Sequence, residues 1–165
     1  MIRKMDLADV PRVAEVWMFS WRNAFRGIIS DEDLFKGRLV VDGITMFEET
    51  LKKNTSQNYV FDDGIIKAFL TMYPCQDEDK AGTFELAALY VDTFFQKQGI
   101  GAQMIEFFEE QVRRCGCNEV CLWTLEKSRD SRAFYEKVGY VHDGACKLVT
   151  RLALAGVRYT KKVIM

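Results

Sequence analysis

Residues 84–115 join an apolar strand, a short loop and an amphipathic helix in one uninterrupted run. From Leu86 to Val91 every residue is apolar, which is typical of a central strand covered on both faces. Beyond Gly99, apolar residues recur every three or four positions as far as Cys115, the period of a helix with one buried face. We therefore predict a strand that leads through a loop into the N-terminus of a helix.

Gly99 and Gly101 open that helix and indicate an anion-binding site. The first N–H groups of a helix have no acceptor within the helix and carry the positive end of its dipole, and glycine lets a diphosphate approach the backbone. An ordinary helix start that contains glycine is the alternative, and the pattern by itself leaves both open. The P-loop and the dinucleotide fingerprint are excluded, because the Gly-Lys-Ser/Thr triplet and the third glycine are missing.

The remaining elements follow from the same periodicity rules. Asp62-Asp63-Gly64 favours a tight turn between two strands. On the helix after Gly99, Glu109/Arg113 and Glu110/Arg114 are expected to form exposed i,i+4 pairs. In chain order we predict a strand at 2–4, a helix with its apolar face over 10–24, a helix between Gly43 and Asn54, a hairpin over 59–73, a strand over 83–91, a helix over 99–115, a strand over 120–125, a helix over 130–138, and closing strands over 140–149 and 157–164.

Composition excludes several classes of protein. With 165 residues, 48% hydrophobic and 28% charged, the chain fits a single globular domain over residues 1–165. Lys and Arg total 23 against 24 Asp and Glu, so no positive field is present to attract nucleic acid or an anionic membrane. No apolar run approaches the ~20 residues of a membrane span, and the charged start lacks the apolar stretch of a secretory signal, so we expect a cytoplasmic protein.

The five cysteines are scattered and odd in number, which favours reduced thiols over a disulfide framework. Cys115 and Cys117 could form half of a zinc site. A structural zinc site needs a second pair of ligands, however, and His142 is the only histidine. We therefore expect no metal, and interpret these cysteines as small apolar fillers near a helix end.

Three segments together resemble one known family. Gln96-x-x-Gly99-x-Gly101/Ala102 after a strand resembles the coenzyme A signature, Arg/Gln-x-x-Gly-x-Gly/Ala, of the GNAT N-acetyltransferase superfamily. Downstream, residues 131–140 are similar to the family's Ala-x-x-Phe-Tyr-x-Lys-x-Gly-Phe segment, and upstream, residues 20–27 resemble the first-helix segment of many bacterial members. The resemblance covers essentially the whole chain.

The resemblance implies an α/β GNAT fold, in which helices cover both faces of a twisted, mixed but mostly antiparallel sheet of about seven strands. It implies an enzyme that moves the acetyl group of acetyl-CoA to a primary amine by direct attack in a ternary complex. A small acceptor such as a polyamine, amino acid or amino sugar is favoured, because nothing in the chain indicates a peptide groove. Transfer to a protein or peptide and a non-catalytic acyl-CoA sensor are the alternatives, and a homodimer through the closing strands is a further option.

The same resemblance assigns the coenzyme contacts to two segments. The pantetheine arm would pair with the strand backbone, where the Leu89 N–H is the candidate for polarising the thioester carbonyl. Lys97 would add a contact to a phosphate, unless it is a solvated loop lysine. Ser128 stands where many members have asparagine, which leaves a shorter side chain to bond the pantetheine. The full set of implied coenzyme residues is Leu89, Tyr90, Val91, Gln96, Lys97, Gln98, Gly99, Ile100, Gly101, Ala102, Ser128, Ser131 and Phe134.

Two residues are the candidates for the proton transfers that acetylation requires. Glu85 resembles the family's glutamate base, and an apolar neighbourhood would raise the pKa of its carboxyl group. Tyr135 matches the tyrosine that protonates the departing sulfur. The alternatives are an exposed glutamate at a strand start and an amphipathic core tyrosine.

For the acceptor, the first-helix segment offers candidates in Trp21, Arg22, Phe25 and Arg26. Either arginine could hold a carboxylate or phosphate of the substrate, although helix arginines are often simply solvated. His142 near the last helix is left out of the site, because a lone histidine at a strand start is more often structural.

Overall fold

A seven-stranded sheet forms the centre of the molecule, in the order β1-β2-β3-β4-β5-β7-β6. The computed structural model describes residues 1–36, 39–150 and 152–163. Its main elements are β1 (Ile2–Lys4), α1 (Val10–Phe25), α2 (Asp31–Lys36), α3 (Val40–Lys53), β2 (Gln57–Asp62), β3 (Ile66–Pro74), β4 (Phe84–Val91), α4 (Ile100–Arg114), β5 (Glu119–Leu125), α5 (Arg129–Lys137), β6 (Val141–Val149) and β7 (Leu154–Lys162).

The sheet is mixed, because β4 and β5 pair in parallel whereas the other neighbouring strands pair antiparallel. The predicted α/β class, the hairpin around Asp62-Asp63-Gly64 and the order of the strands are confirmed. Gly64 has φ +104° and its N–H donates to Asp62 Oδ1 at 2.9 Å, as a tight turn requires. Ile164, the predicted end of the last strand, lies outside the described residues.

Helices cover the two faces of the sheet with separate apolar clusters. On one face, Met104 and Phe108 of α4 pack against Leu70 and Leu86 of the central strands. On the other face, α1 and α3 bury Val13 and Phe47 against Val60 and Phe69. The predicted placement of helices on both faces is thus confirmed. In the described parts of the chain, no helix is both long and apolar enough to cross a bilayer.

Two expectations about the segment before β2 were wrong. A short helix, α2, forms at Asp31–Lys36 where none was predicted, and Ser30 accepts the N–H of Asp33 at its start. Gly43 lies inside α3 rather than at its boundary. A Cβ atom at Gly43 would lie 2.9 Å from the Trp17 ring, so this glycine serves the close approach of α1 and α3.

The outer face of α4 also differs from expectation. Glu109 does not pair with Arg113; it is buried and accepts two hydrogen bonds from Lys161 Nζ of β7, at 2.7 and 2.9 Å. Arg113 bonds Glu110 instead, and the predicted pair of Glu110 with Arg114 is confirmed. The side of α4 that carries Glu109 therefore faces β7 and is not exposed to solvent. Cys115, predicted to face inward, is exposed because the helix ends there.

Candidate active site

The two central strands separate at their carboxyl ends. β4 and β5 pair only where Phe84, Glu85 and Leu86 face Val120, Cys121 and Leu122. Beyond that point β4 continues along β3 to Val91, while β5 continues along β7 to Leu125. A gap therefore opens between them, at the edge where ligands of open α/β sheets bind.

A bulge re-aims β4 at the start of this gap. Leu86 faces Met72 of β3 and Ala88 faces Thr71, so Ala87 has no residue opposite it. The expected burial of β4 on both faces holds for Phe84–Leu86 only, because Ala87 is exposed and the residues up to Val91 are half-buried. The N–H and C=O groups of Leu89 to Val91 lie in the part of β4 that has left β5, where the pantetheine contacts were predicted.

The loop after β4 is held by side chains on both sides. The carbonyl of Val91 accepts hydrogen bonds from Ser20 Oγ at 2.9 Å and from Gln96 Nε2 at 3.1 Å. Asp92 accepts the N–H of Phe94 at 2.9 Å and forms an ion pair with Arg12 of α1. The side chain of Gln96 thus bonds the backbone of its own loop. This loop leads from the end of β4 to the start of α4, which therefore lies beside the gap.

The first turn of α4 has the geometry that an anion site requires. Gly99 is the N-cap with φ +82°, a conformation that other residues adopt only with strain. Gly101 has an ordinary φ, but a Cβ atom there would lie 3.2 Å from the Phe134 ring of α5. One glycine therefore allows the turn and the other lets α4 and α5 approach each other. The N–H groups of residues 99–102 have no acceptor within the helix.

A glycine-to-valine pair tests this turn. Gly99→Val is expected to cost about 1–2 kcal/mol of stability through its left-handed φ and to weaken acetyl-CoA binding roughly tenfold or more. Gly116→Val is the matched control, because Gly116 follows the other end of α4 with φ +75° and nothing within 4 Å of its added Cβ. Calorimetry should show the affinity loss in the first variant only. Equal affinity in both variants would remove the helix N-terminus from the coenzyme site.

α5 presents the second group of predicted residues. Ser128 is buried and its Oγ donates to Ser131 Oγ at 2.8 Å, so the two serines form a pair at the start of the helix. Tyr135 is half-buried and its ring lies 5.2 Å from that of Phe134 and 5.9 Å from that of Tyr140. Desolvation raises the pKa of Tyr135, and nearby Tyr90 adds to this, so the hydroxyl stays protonated at neutral pH.

Glu85 lies on β4, one residue before the last position that pairs with β5, and is buried. In register it faces Tyr73 of β3 on one side and Cys121 of β5 on the other. The Tyr73 hydroxyl donates to Glu85 Oε1 at 3.3 Å. Burial raises the pKa of Glu85, while Lys147 of β6 and the Tyr73 hydrogen bond oppose that rise. The sequence-based prediction missed Tyr73 and Lys147, because only the strand register brings them to Glu85.

A thiol pair also contacts this position. The Sγ atoms of Cys75 and Cys121 are 3.2 Å apart, and with a Glu85 oxygen they form a group of donor atoms within 4.8 Å of one another. Burial raises the pKa of Cys121, which keeps its thiol protonated, and Glu85 already accepts the Tyr73 hydroxyl. We therefore assign a thiol–thiol contact here, beside the Glu85 carboxylate.

The four predicted acceptor residues lie around α2. Trp21 is buried against Ile29 and Leu34, and the Phe25 ring lies 5.4 Å from it. Arg22 donates to the carbonyl of Leu34 at 3.2 Å and lies over the Phe35 ring. Arg26 is exposed. Their described contacts join α1 to α2, and the cluster around Trp21 also packs against Tyr90 of β4 and Leu154 of β7.

A cavity of about 550 Å³ lies instead between the α1 and α3 helices and strands β2 to β4. It reaches the bulge of β4 at Ala87 and Ala88 and includes Tyr73, whose hydroxyl bonds Glu85. Trp17, one turn before Trp21 on α1, forms part of its wall. The cavity therefore adjoins the buried carboxylate at the point where β4 leaves β5.

Comparison with known proteins agrees with this geometry. The family model of the acetyltransferase (GNAT) family matches residues 13–140. A protein of Mycobacterium tuberculosis described as a probable N-acetyltransferase is 26% identical over 159 residues, which is 94% of this chain and 87% of that protein.

Two solved structures share the fold over nearly all of both chains. The PaiA N-acetyltransferase from Thermoplasma acidophilum, in complex with coenzyme A, has a TM-score of 0.75 at 19% identity and covers 98% of each chain. A ribosomal-protein-alanine N-acetyltransferase from Brucella melitensis has a TM-score of 0.71 at 18% identity, covering 98% of this chain and 99% of that one.

The central gap, the glycine turn and the match over residues 13–140 define the class: this chain belongs to the GNAT family of acetyltransferases. The predicted family and the predicted fold are confirmed. With them the enzyme class, an acetyltransferase, is confirmed.

Proposed function

We propose that this enzyme acetylates the primary amine of a small molecule by direct attack in a ternary complex. The observation that carries the proposal is the position of the gap between β4 and β5. The glycine turn of α4 stands at the end of β4 beside it, and the buried Glu85, next to a cavity, stands at its start. Coenzyme and acceptor can thus meet at the bulge of β4.

The coenzyme half of the site uses mainly backbone groups. The N–H groups of residues 98–102 would hold the pyrophosphate, with Lys97 beside them, and the β4 backbone from Leu89 to Val91 would pair with the pantetheine arm. The Leu89 N–H would donate to the thioester carbonyl, whose oxygen gains charge during attack. That the similar PaiA structure contains coenzyme A supports the same ligand here.

Two side chains would move the protons. An alkylammonium must lose a proton before it attacks. Glu85 is a buried carboxylate bonded to Tyr73, which lines the cavity, and it would take that proton directly or through a water molecule. The amine then bonds to the acetyl carbon as the carbon–sulfur bond breaks, and Tyr135 would give its proton to the departing sulfur. Ser128 and Ser131 would face the pantetheine at the start of α5. Many members of the family have asparagine at the position of Ser128.

The size of the cavity favours a small acceptor over a protein. A volume of about 550 Å³ is in the range of small-molecule pockets, and it is bounded by helices on one side and the sheet on the other. The fold alone does not select the acceptor, since a protein acetyltransferase has a similar structure. Trp21, Arg22, Phe25 and Arg26 would act indirectly, by holding α1 so that Trp17 reaches the cavity.

The deciding experiment is calorimetric titration with acetyl-CoA, followed by measurement of thiol release with polyamines, amino acids, amino sugars and short peptides. Saturable binding with thiol release for small amines is the expected result. Release with peptides alone would contradict the small-molecule acceptor, and binding without any release would favour an acyl-CoA sensor.

A further inference from the structure

The cavity beside Glu85 is lined by uncharged residues throughout the described part of the chain. One side of it is aromatic. The rings of Trp17 and Phe47 lie 5.8 Å apart and those of Phe47 and Phe69 lie 5.2 Å apart, each pair edge to face. On the sheet side lie the hydroxyl and amide groups of Ser56, Asn58, Thr71 and Gln76, and Thr50 adds a hydroxyl from α3.

The polar groups on that side bond to one another. Asn58 Nδ2 donates to Ser56 Oγ at 3.0 Å, and Thr71 Oγ1 donates to Asn58 Oδ1 at 2.8 Å. Neutral groups arranged in this way offer hydrogen bonds to a hydroxyl or an amide of a ligand. They offer no opposite charge to a buried ammonium or carboxylate.

Among the described residues, a negative charge that could match an ammonium of the acceptor adjoins one end of the cavity only. The reacting amine enters as an ammonium, and Glu85 stands next to Tyr73 at that end. A second charged group in the cavity would lose part of its hydration without gaining a partner of opposite charge among the described lining residues, which disfavours its binding. In contrast, apolar surface of the acceptor that packs against the aromatic rings is removed from water, which stabilises the bound state.

We infer that the acceptor is a monoamine with an uncharged body that has an apolar or aromatic part and a hydroxyl or amide group. This inference rests on the proposed function, because it assumes that the acceptor occupies this cavity. It favours amino alcohols and arylalkylamines, and it disfavours diamines, polyamines and free amino acids.

The test compares acceptors that differ in one charged group. Aminopentanol and cadaverine differ by a hydroxyl in place of the second ammonium, and tyramine and tyrosine differ by the carboxylate. With acetyl-CoA saturating, kcat/KM is expected to be at least about tenfold higher for the uncharged member of each pair. Equal or higher kcat/KM for cadaverine and tyrosine would overturn the inference.

A single variant checks that the body of the acceptor lies in this cavity. Gln76 is exposed at the rim, so Gln76→Glu adds a carboxylate with almost no change of shape. The preference for aminopentanol over cadaverine is expected to fall severalfold, because the second ammonium gains a partner. Gln111→Glu on α4, across the sheet, makes the same charge change and should leave the preference unaltered. An unchanged preference in Gln76→Glu would also overturn the inference.

A failure of the proposed function can be distinguished from a failure of this inference. If the proposed function is wrong, none of the four amines releases thiol, although acetyl-CoA still binds. In that case calorimetric titration of the same four amines into the protein loaded with coenzyme A decides the inference by itself. Tighter binding of aminopentanol and tyramine would support it, and equal or tighter binding of the charged partners would refute it.

Discussion

Replacing Tyr135 with phenylalanine is expected to lower kcat by about 10²–10⁴-fold while the affinity for acetyl-CoA stays nearly unchanged. The change removes the hydroxyl that would protonate the departing sulfur and keeps the ring that packs against Phe134 and Tyr140. An interaction made only in the transition state lowers kcat rather than ground-state binding. Thiol release and calorimetric titration measure the two quantities separately.

Tyr140→Phe is the matched control for this variant. Tyr140 belongs to the same apolar cluster, and its ring lies 5.9 Å from that of Tyr135. It follows the end of α5, however, and its side chain is buried in the core. It is expected to keep the wild-type kcat. A wild-type kcat in Tyr135→Phe would remove this residue as the acid, and a similar loss in both variants would indicate a packing effect.

Glu85→Gln is expected to reduce kcat/KM at neutral pH by about 10²–10⁴-fold and to remove the acid limb of the pH–rate profile. A base must be deprotonated to act, so in the wild type kcat/KM rises as pH increases through the pKa of Glu85. Because burial raises that pKa, the limb should lie above the ordinary carboxyl value of 4.5. A variant with an unchanged profile would assign the proton to another group.

Tyr73→Phe tests the role of Glu85 through the pKa of its carboxyl group. The Tyr73 hydroxyl donates to Glu85 and favours its charged form, so its removal raises the pKa of Glu85 further. The acid limb is therefore expected to move to higher pH, while activity above the limb persists. A shift to lower pH, or no shift, would contradict the assigned hydrogen bond. A purely structural role for Tyr73 would lower activity without moving the limb.

Much of the coenzyme side could be predicted from sequence, because its signals are local. The change from strand to helical period across Gly99 depends on residues near one another in the chain, and the left-handed φ of Gly99 is a property of a single residue. The α5 segment with Tyr135 is local in the same way. Local signals failed where a distant element intervened, as at Gly43, which meets Trp17, and at Glu109, which meets Lys161.

The sequence by itself determined the family of the protein, the order of its strands and the glycine turn at the start of α4. Only the tertiary structure decided what surrounds Glu85 and where the cavity beside Tyr73 lies. The reason is physical: strand register and the bulge at Ala87 bring Tyr73 and Cys121 to the carboxylate, and the packing of α1 on α3 forms the cavity wall. These contacts join residues far apart in the chain, and no periodicity encodes them.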